Sequence, residues 1–257
     1  MELVGASVTE LKSLLTRSFE EWARDGRSCA LSGGATAMIF LTSLRAAQVD
    51  WTKITLFWAD ERAVPPDDPE SNYGLAERML LAPLGAKAPR AIRMPIDAQR
   101  SASGASLAQG RPIDAQRSAS GASLAQGRPA DNLREAALLY DDILAHELNG
   151  GPLDLAILGV GEDGHICSLF PGHRALLVED LRAVAIEDAP KPPPRRLSLT
   201  LRYVLQTKKI WVLAIGSRKL PVLQAAVDKT SNSTPLDLLM RQARDVTVFT
   251  DQTLHRR

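Results

Sequence analysis

Apolar residues along this chain follow two rhythms: short continuous runs that mark buried strands, and stripes spaced three and four apart that mark amphipathic helices. The clearest run is Leu153, Leu155, Ala156, Ile157 and Leu158, closed by Gly159 and Gly161. A run without polar alternation belongs to a strand covered on both faces. Residues 28–31, 54–58, 91–94, 184–186, 210–215 and 246–250 read as further strands. Leu11, Leu14, Leu15, Phe19 and Trp22 mark a first helix, begun by a cap at Ser7 or Thr9 and ended near Asp25-Gly26. Further helices are expected at 37–44, from a Ser71-Asn72 cap to Pro83, from Asp131 to Asn149-Gly150-Gly151, and at 201–205, 219–227 and 235–241. Strands alternating with helices throughout predict an α/β fold, a mainly parallel, doubly wound sheet with helices on both faces, in one domain over 1–257.

One stretch breaks the alternation. Residues 96–112 read IDAQRSASGASLAQGRP, and residues 113–129 repeat them letter for letter. Two identical copies are too few for a repeat architecture and point to a tandem duplication. Each copy offers one Ile and one Leu, too little to form a core, so a surface insertion at 96–129, mobile or loosely helical, is expected. Its arginines Arg100, Arg111, Arg117 and Arg128 read as solvated charges.

Charge and composition narrow the function classes. The formal net charge is +1, so no bulk field attracts nucleic acid or an anionic membrane, and any anion must be held locally. The two cysteines, Cys29 and Cys167, form neither a disulfide framework nor a ligand set and fit free thiols in a reducing cytoplasm. The first residues lack the pattern of a secretory signal, and no apolar run is long enough to span a bilayer. A cytoplasmic location, no membrane and no nucleic-acid partner are therefore expected.

Candidate chemistry gathers where predicted strands end, the edge at which open α/β sheets bind ligands. After 153–158 come Asp163, His165 and Ser168. The histidine could be a catalyst or a hydrogen-bonded structural residue. After 28–31 comes Ser32-Gly33-Gly34-Ala35-Thr36, a glycine turn opening a helix, which suits a phosphate but also occurs in ordinary turns. After 54–58 come Asp60, Glu61 and Arg62, of which at least one carboxylate is expected in the same crevice as His165. The proline-rich stretch from Lys191 to Arg196 could hold Lys191 and one arginine ready for an anion, or be a polyproline linker.

Four blocks, SGGATA at 32–37, ADERAVP at 59–65 with Ser71-Asn72, GVGEDGHICSLFPGH at 159–173 and KPPPRRLSLT at 191–200, occur in an order that resembles the 6-phosphogluconolactonase family. Ala35 and Ala37 depart from the serine and proline common in its first block, and Cys167 from its usual alanine. The resemblance implies a Rossmann-like sheet and a hydrolase that opens 6-phospho-D-glucono-1,5-lactone to 6-phosphogluconate, the second step of the oxidative pentose phosphate pathway, with no cofactor and no metal. It makes His165 the general base, with Asp163 or Asp60 orienting its ring or binding sugar hydroxyls. It gives Gly33, Gly34, Thr36, Arg62, Lys191 and Arg196 to the phosphate, Arg196 being preferred to Arg195 because it directly precedes LSLT. Backbone amides of residues 159–164 are oxyanion candidates. Ser168 as nucleophile is disfavoured, since no motif places a second histidine to activate it. A glucosamine-6-phosphate deaminase or another sugar-phosphate isomerase is the alternative, against which the SLFPG block speaks. A monomer is expected.

Overall fold

The computed structural model describes residues 1–96 and 133–254. The duplicated segment after Ile96, its four arginines and the expected helix start at Asp131 lie outside the described residues.

Seven strands form one parallel sheet: β1 (Glu2–Gly5), β2 (Ser28–Leu31), β3 (Thr55–Trp58), β5 (Arg90–Ile92), β6 (Leu155–Gly159), β9 (Lys209–Ala214) and β10 (Val246–Thr250), in the order β1-β10-β9-β6-β2-β3-β5. From β2 the chain moves outward through β3 to β5, and from β6 it moves the other way through β9 to β10. The winding therefore reverses between β2 and β6, which pair directly. The helices are α1 (Val8–Trp22), α2 (Ala37–Ala46), α3 (Asn72–Ala76), α4 (Ala82–Leu84), α5 (Leu133–Glu147), α6 (Leu201–Gln206), α7 (Leu220–Asp228) and α8 (Pro235–Gln242). Right-handed crossovers on a sheet wound in both directions place α1 and α2 on one face and α5 to α8 on the other. Accordingly α1 packs on α2, while α6 and α7 pack on α8.

Two features depart from the sequence reading. Glu2–Gly5 adds an edge strand beside β10; two apolar residues in four were too few to announce it. A second, antiparallel sheet holds β4 (Asp60–Arg62), β8 (Arg196–Leu199) and β7 (Ala183–Ile186), in the order β4-β8-β7; β7 is the strand expected at 184–186, while β4 and β8 fall where no strand is expected. The β4–β8 partners lie far apart in sequence, so local pattern could not pair them.

One apolar cluster runs through the sheet and both helical layers. Leu155, Ala156, Ile157 and Leu158 of β6 are all fully buried, as a central parallel strand requires. Both cysteines are free and buried. Among the described residues no helix is long and apolar enough to cross a membrane.

Besides its apolar packing, α5 is tied to the sheet by a hydroxyl. Strand β5 ends opposite Phe57, so the backbone of Trp58 has no neighbour on that side. The buried Tyr140 hydroxyl takes its place, accepting from Trp58 N at 2.9 Å and donating to Trp58 O at 2.9 Å. Removing it strands two buried backbone groups. Tyr140→Phe is expected to lower unfolding stability by about 1–3 kcal/mol, measured by urea titration.

Candidate active site

The carboxyl ends of β2 and β6 flank the point where the winding reverses, the crevice in which open α/β sheets bind ligands. Leaving β6, the chain makes a closed turn: Gly161 N donates to His165 O at 2.9 Å and Gly164 N to Gly161 O at 3.0 Å. Gly161 is required because a Cβ there would lie 2.0 Å from His165 Nδ1. Gly164 takes a φ of +80°, which side chains rarely adopt. His165 is thereby laid over the turn, its other neighbour being the Phe170 ring at 4.6 Å.

Asp163 Oδ1 lies 2.5 Å from His165 Nδ1, and Lys191 Nζ lies 3.1 Å from Asp163 Oδ2. An ionised Asp163 accepts the Nδ1 proton, and this network assigns Nε2 as the unprotonated nitrogen that can act as a base. Burial pushes the His165 imidazolium down, Asp163 opposes this, and Lys191 pushes it down further; the net shift is downward. Burial raises the Asp163 carboxyl, but His165 and Lys191 together hold it below its ordinary range. The pair is thus a neutral imidazole backed by a carboxylate near pH 7.

Asp60 does not reach the imidazole through a hydrogen bond. It is 3% exposed. Its Oδ1 accepts from Ser32 Oγ at 3.2 Å and its Oδ2 from Ser168 Oγ at 2.8 Å. Of the two carboxylates considered for orienting His165, the contact is made by Asp163, and Asp60 instead joins the glycine turn to the SLFPG segment. Ser168 is fully buried and its hydroxyl proton is directed at Asp60, which leaves it no nucleophilic role. Glu61 points away, accepting from the amides of Arg62, Asn72 and Tyr73 and from Ser71 Oγ. It anchors the start of α3, where Ser71 Oγ caps Gly74 N at 3.0 Å.

The cations meet on one rung. In the β4–β8 ladder Arg62 pairs with Arg196, so two guanidinium groups project from the same face of an antiparallel pair. Like charges in that arrangement repel unless an anion lies between them, and Arg62 does push the Arg196 guanidinium down, after burial. Arg62 Nη1 donates to Glu70 O at 2.7 Å and Oε2 at 3.1 Å, while its buried Nε has no partner among the described residues. Arg196 donates from Nε to Pro193 O and from Nη2 to the carbonyls of Lys191 and Pro192. Its Nη1 reaches Ser168 Oγ at 3.4 Å.

The glycine turn closes the other side. A Cβ at Gly33 would meet Asn72 Oδ1 at 1.7 Å, and Gly34 holds a φ of +83°. Thr36 is the N-cap of α2 yet makes no side-chain cap bond, so the first amides of α2 are not covered by it. Sequence reasoning missed the arginine rung, the Glu70 contact and the turn after β9. There Arg218 Nε lies 3.1 Å from Glu162 Oε1, and burial pushes the half-buried Lys219 ammonium down against the pull of Glu162 and Asp251. Lys219 followed by an apolar run signalled only a helix. Among the described residues no cluster of three or more His, Cys, Asp and Glu side chains is placed to hold a metal.

If Asp163 supports the protonated ring, its removal has one sign. Asp163→Asn is expected to make His165 take up its proton at lower pH than in the wild type, followed by ¹⁵N NMR of the imidazole.

Known proteins resemble this chain in sequence and in fold. Residues 2–249 match the family model described as glucosamine-6-phosphate isomerases/6-phosphogluconolactonase. A 6-phosphogluconolactonase of Mycobacterium tuberculosis is 34% identical over 211 residues, which cover 80% of this chain and 74% of that protein. Among solved structures, a 6-phosphogluconolactonase from Trypanosoma brucei superposes with a TM-score of 0.73 at 22% identity, covering 96% of this chain and 94% of the other. A monomeric glucosamine-6-phosphate deaminase does so with a TM-score of 0.71 at 17% identity and 98% coverage of both. The shared fold is common to both activities, while the sequence match is to a lactonase. On the match over residues 2–249, the chain belongs to the glucosamine-6-phosphate isomerase/6-phosphogluconolactonase family.

Proposed function

We propose that this protein hydrolyses 6-phospho-D-glucono-1,5-lactone to 6-phosphogluconate, with His165 as general base. One observation carries the reading: His165, backed by Asp163, and Arg196, on one ladder rung with Arg62, both lie against the Phe170 ring. A base and an anion seat on one crevice suit a phosphorylated ester. In this scheme water attacks C1 as its proton passes to His165 Nε2. The tetrahedral oxyanion then collapses, the bond between C1 and the ring oxygen breaks, and the same proton moves to that oxygen. A positioned base typically contributes about 10² to 10⁴ in rate, enough for an ester already activated by its ring. Since the amides of Gly161 and Gly164 bond within the turn, Glu162 and Asp163 are the turn amides we assign to the oxyanion. Gly33, Gly34 and Thr36 at the start of α2 and the Arg62–Arg196 pair hold the phosphate. Glu70 is the group the phosphate replaces on Arg62.

Decay of freshly generated lactone, followed against its spontaneous rate, tests the assignment. His165→Ala is expected to lose about 10² or more of the enzymatic acceleration; equal rates for wild type and variant would remove His165 as the base. Gly161→Ala, which drives a methyl into the His165 ring, is expected to cost about 10² in kcat. Arg62→Ala is expected to raise KM with less effect on kcat, because the charge it supplies is felt equally in ground and transition states. Release of ammonia from glucosamine 6-phosphate would instead favour a deaminase.

A further inference from the structure

The family resemblance gives Lys191 to the phosphate; in the structure its ammonium pairs with a carboxylate. It contacts Asp163 Oδ2 at 3.1 Å, on the oxygen opposite the one that meets His165 Nδ1. The backbone that delivers it is clamped. Arg196 is 3% exposed, and its Nη2 donates to Lys191 O and Pro192 O, both at 3.0 Å, while its Nε donates to Pro193 O at 2.8 Å. The guanidinium in turn lies 5.6 Å from the centre of the Phe170 ring, the same ring that supports the imidazole. Loop, lysine, carboxylate and imidazole are thus joined in one chain of contacts.

We propose that Lys191 is a positioning residue for the general base, holding Asp163 by one oxygen so that the other stays aimed at His165, and that it is not a ligand of the substrate phosphate. This rests on the hydrolase reading above. The charged groups facing the imidazole are Asp163 from its own turn, Asp60 from β4 and Lys191 from the loop before β8, with apolar Phe170 beside it. Two of these are anions that favour the imidazolium, and Lys191 is the cation that opposes them. Without it the ring takes up a proton more readily and Asp163 has one anchor fewer. Lys191 and Asp163 have side chains 45% and 34% exposed, so solvent and salt weaken the coupling and the effect should be moderate.

Lys191→Gln and Lys191→Arg, each with ¹⁵N-labelled histidine, decide the matter. In Lys191→Gln the His165 ring is expected to titrate at higher pH than in wild type, opposite in sign to Asp163→Asn. The acid limb of kcat/KM for lactone hydrolysis should move the same way. At neutral pH kcat should fall about tenfold, a part of what a positioned base supplies, with KM within about twofold of wild type. Lys191→Arg should restore the titration towards wild type. An unmoved His165 titration in Lys191→Gln would overturn the proposal, as would a raised KM with kcat and the acid limb unchanged, the signature of a phosphate contact. Should wild type fail to accelerate lactone decay, the hydrolase reading falls, while the NMR titration still decides the link between Lys191 and His165.

Discussion

The direct pairing of β2 with β6 at the middle of the sheet is the constraint on which the rest of this structure depends. Parallel strands joined by right-handed crossovers can diverge from a centre only by sending their connections to opposite faces. The two loops that leave the central pair are then parted, and a crevice opens above their carboxyl ends. Into it come the glycine turn after β2 and the histidine turn after β6. Close packing at Gly33 and Gly161, where a methyl would strike Asn72 and His165 respectively, sets both turns to their neighbours.

The small antiparallel sheet turns this crevice from a gap into an electrostatic site. Its β4–β8 ladder puts Arg62 opposite Arg196, an arrangement of like charges that suits the anion seat proposed for it. Buried Asp60, hydrogen-bonded to Ser32 and Ser168, ties the two turns together. The second charge system, Lys191–Asp163–His165, is separate in its contacts. In it a cation and burial both favour the neutral ring, while the carboxylate fixes which nitrogen keeps the proton. In the function proposed above, binding of charge and handling of protons fall to different side chains, with Arg196 as the link through the loop carbonyls it holds.

Much of this was legible in the sequence because it is local. Continuous apolar runs marked β2, β3, β6, β9 and β10, helical stripes marked α1, α2 and α5, and glycines beside strand ends marked both turns. Four motif blocks carried the family. An exact duplication stood out against the alternation of strands and helices by identity alone. What only the tertiary structure decided involves partners distant along the chain. Hydrogen bonding to β10 makes a strand of Glu2–Gly5. Pairing with β8 makes a strand of Asp60–Arg62 and sets two arginines on one rung. The choice between Asp163 and Asp60 at His165, and the attachment of Lys191 to Asp163, rest on distances of a few ångströms. Spacing along a sequence cannot fix these, because they are set by how separate segments are packed.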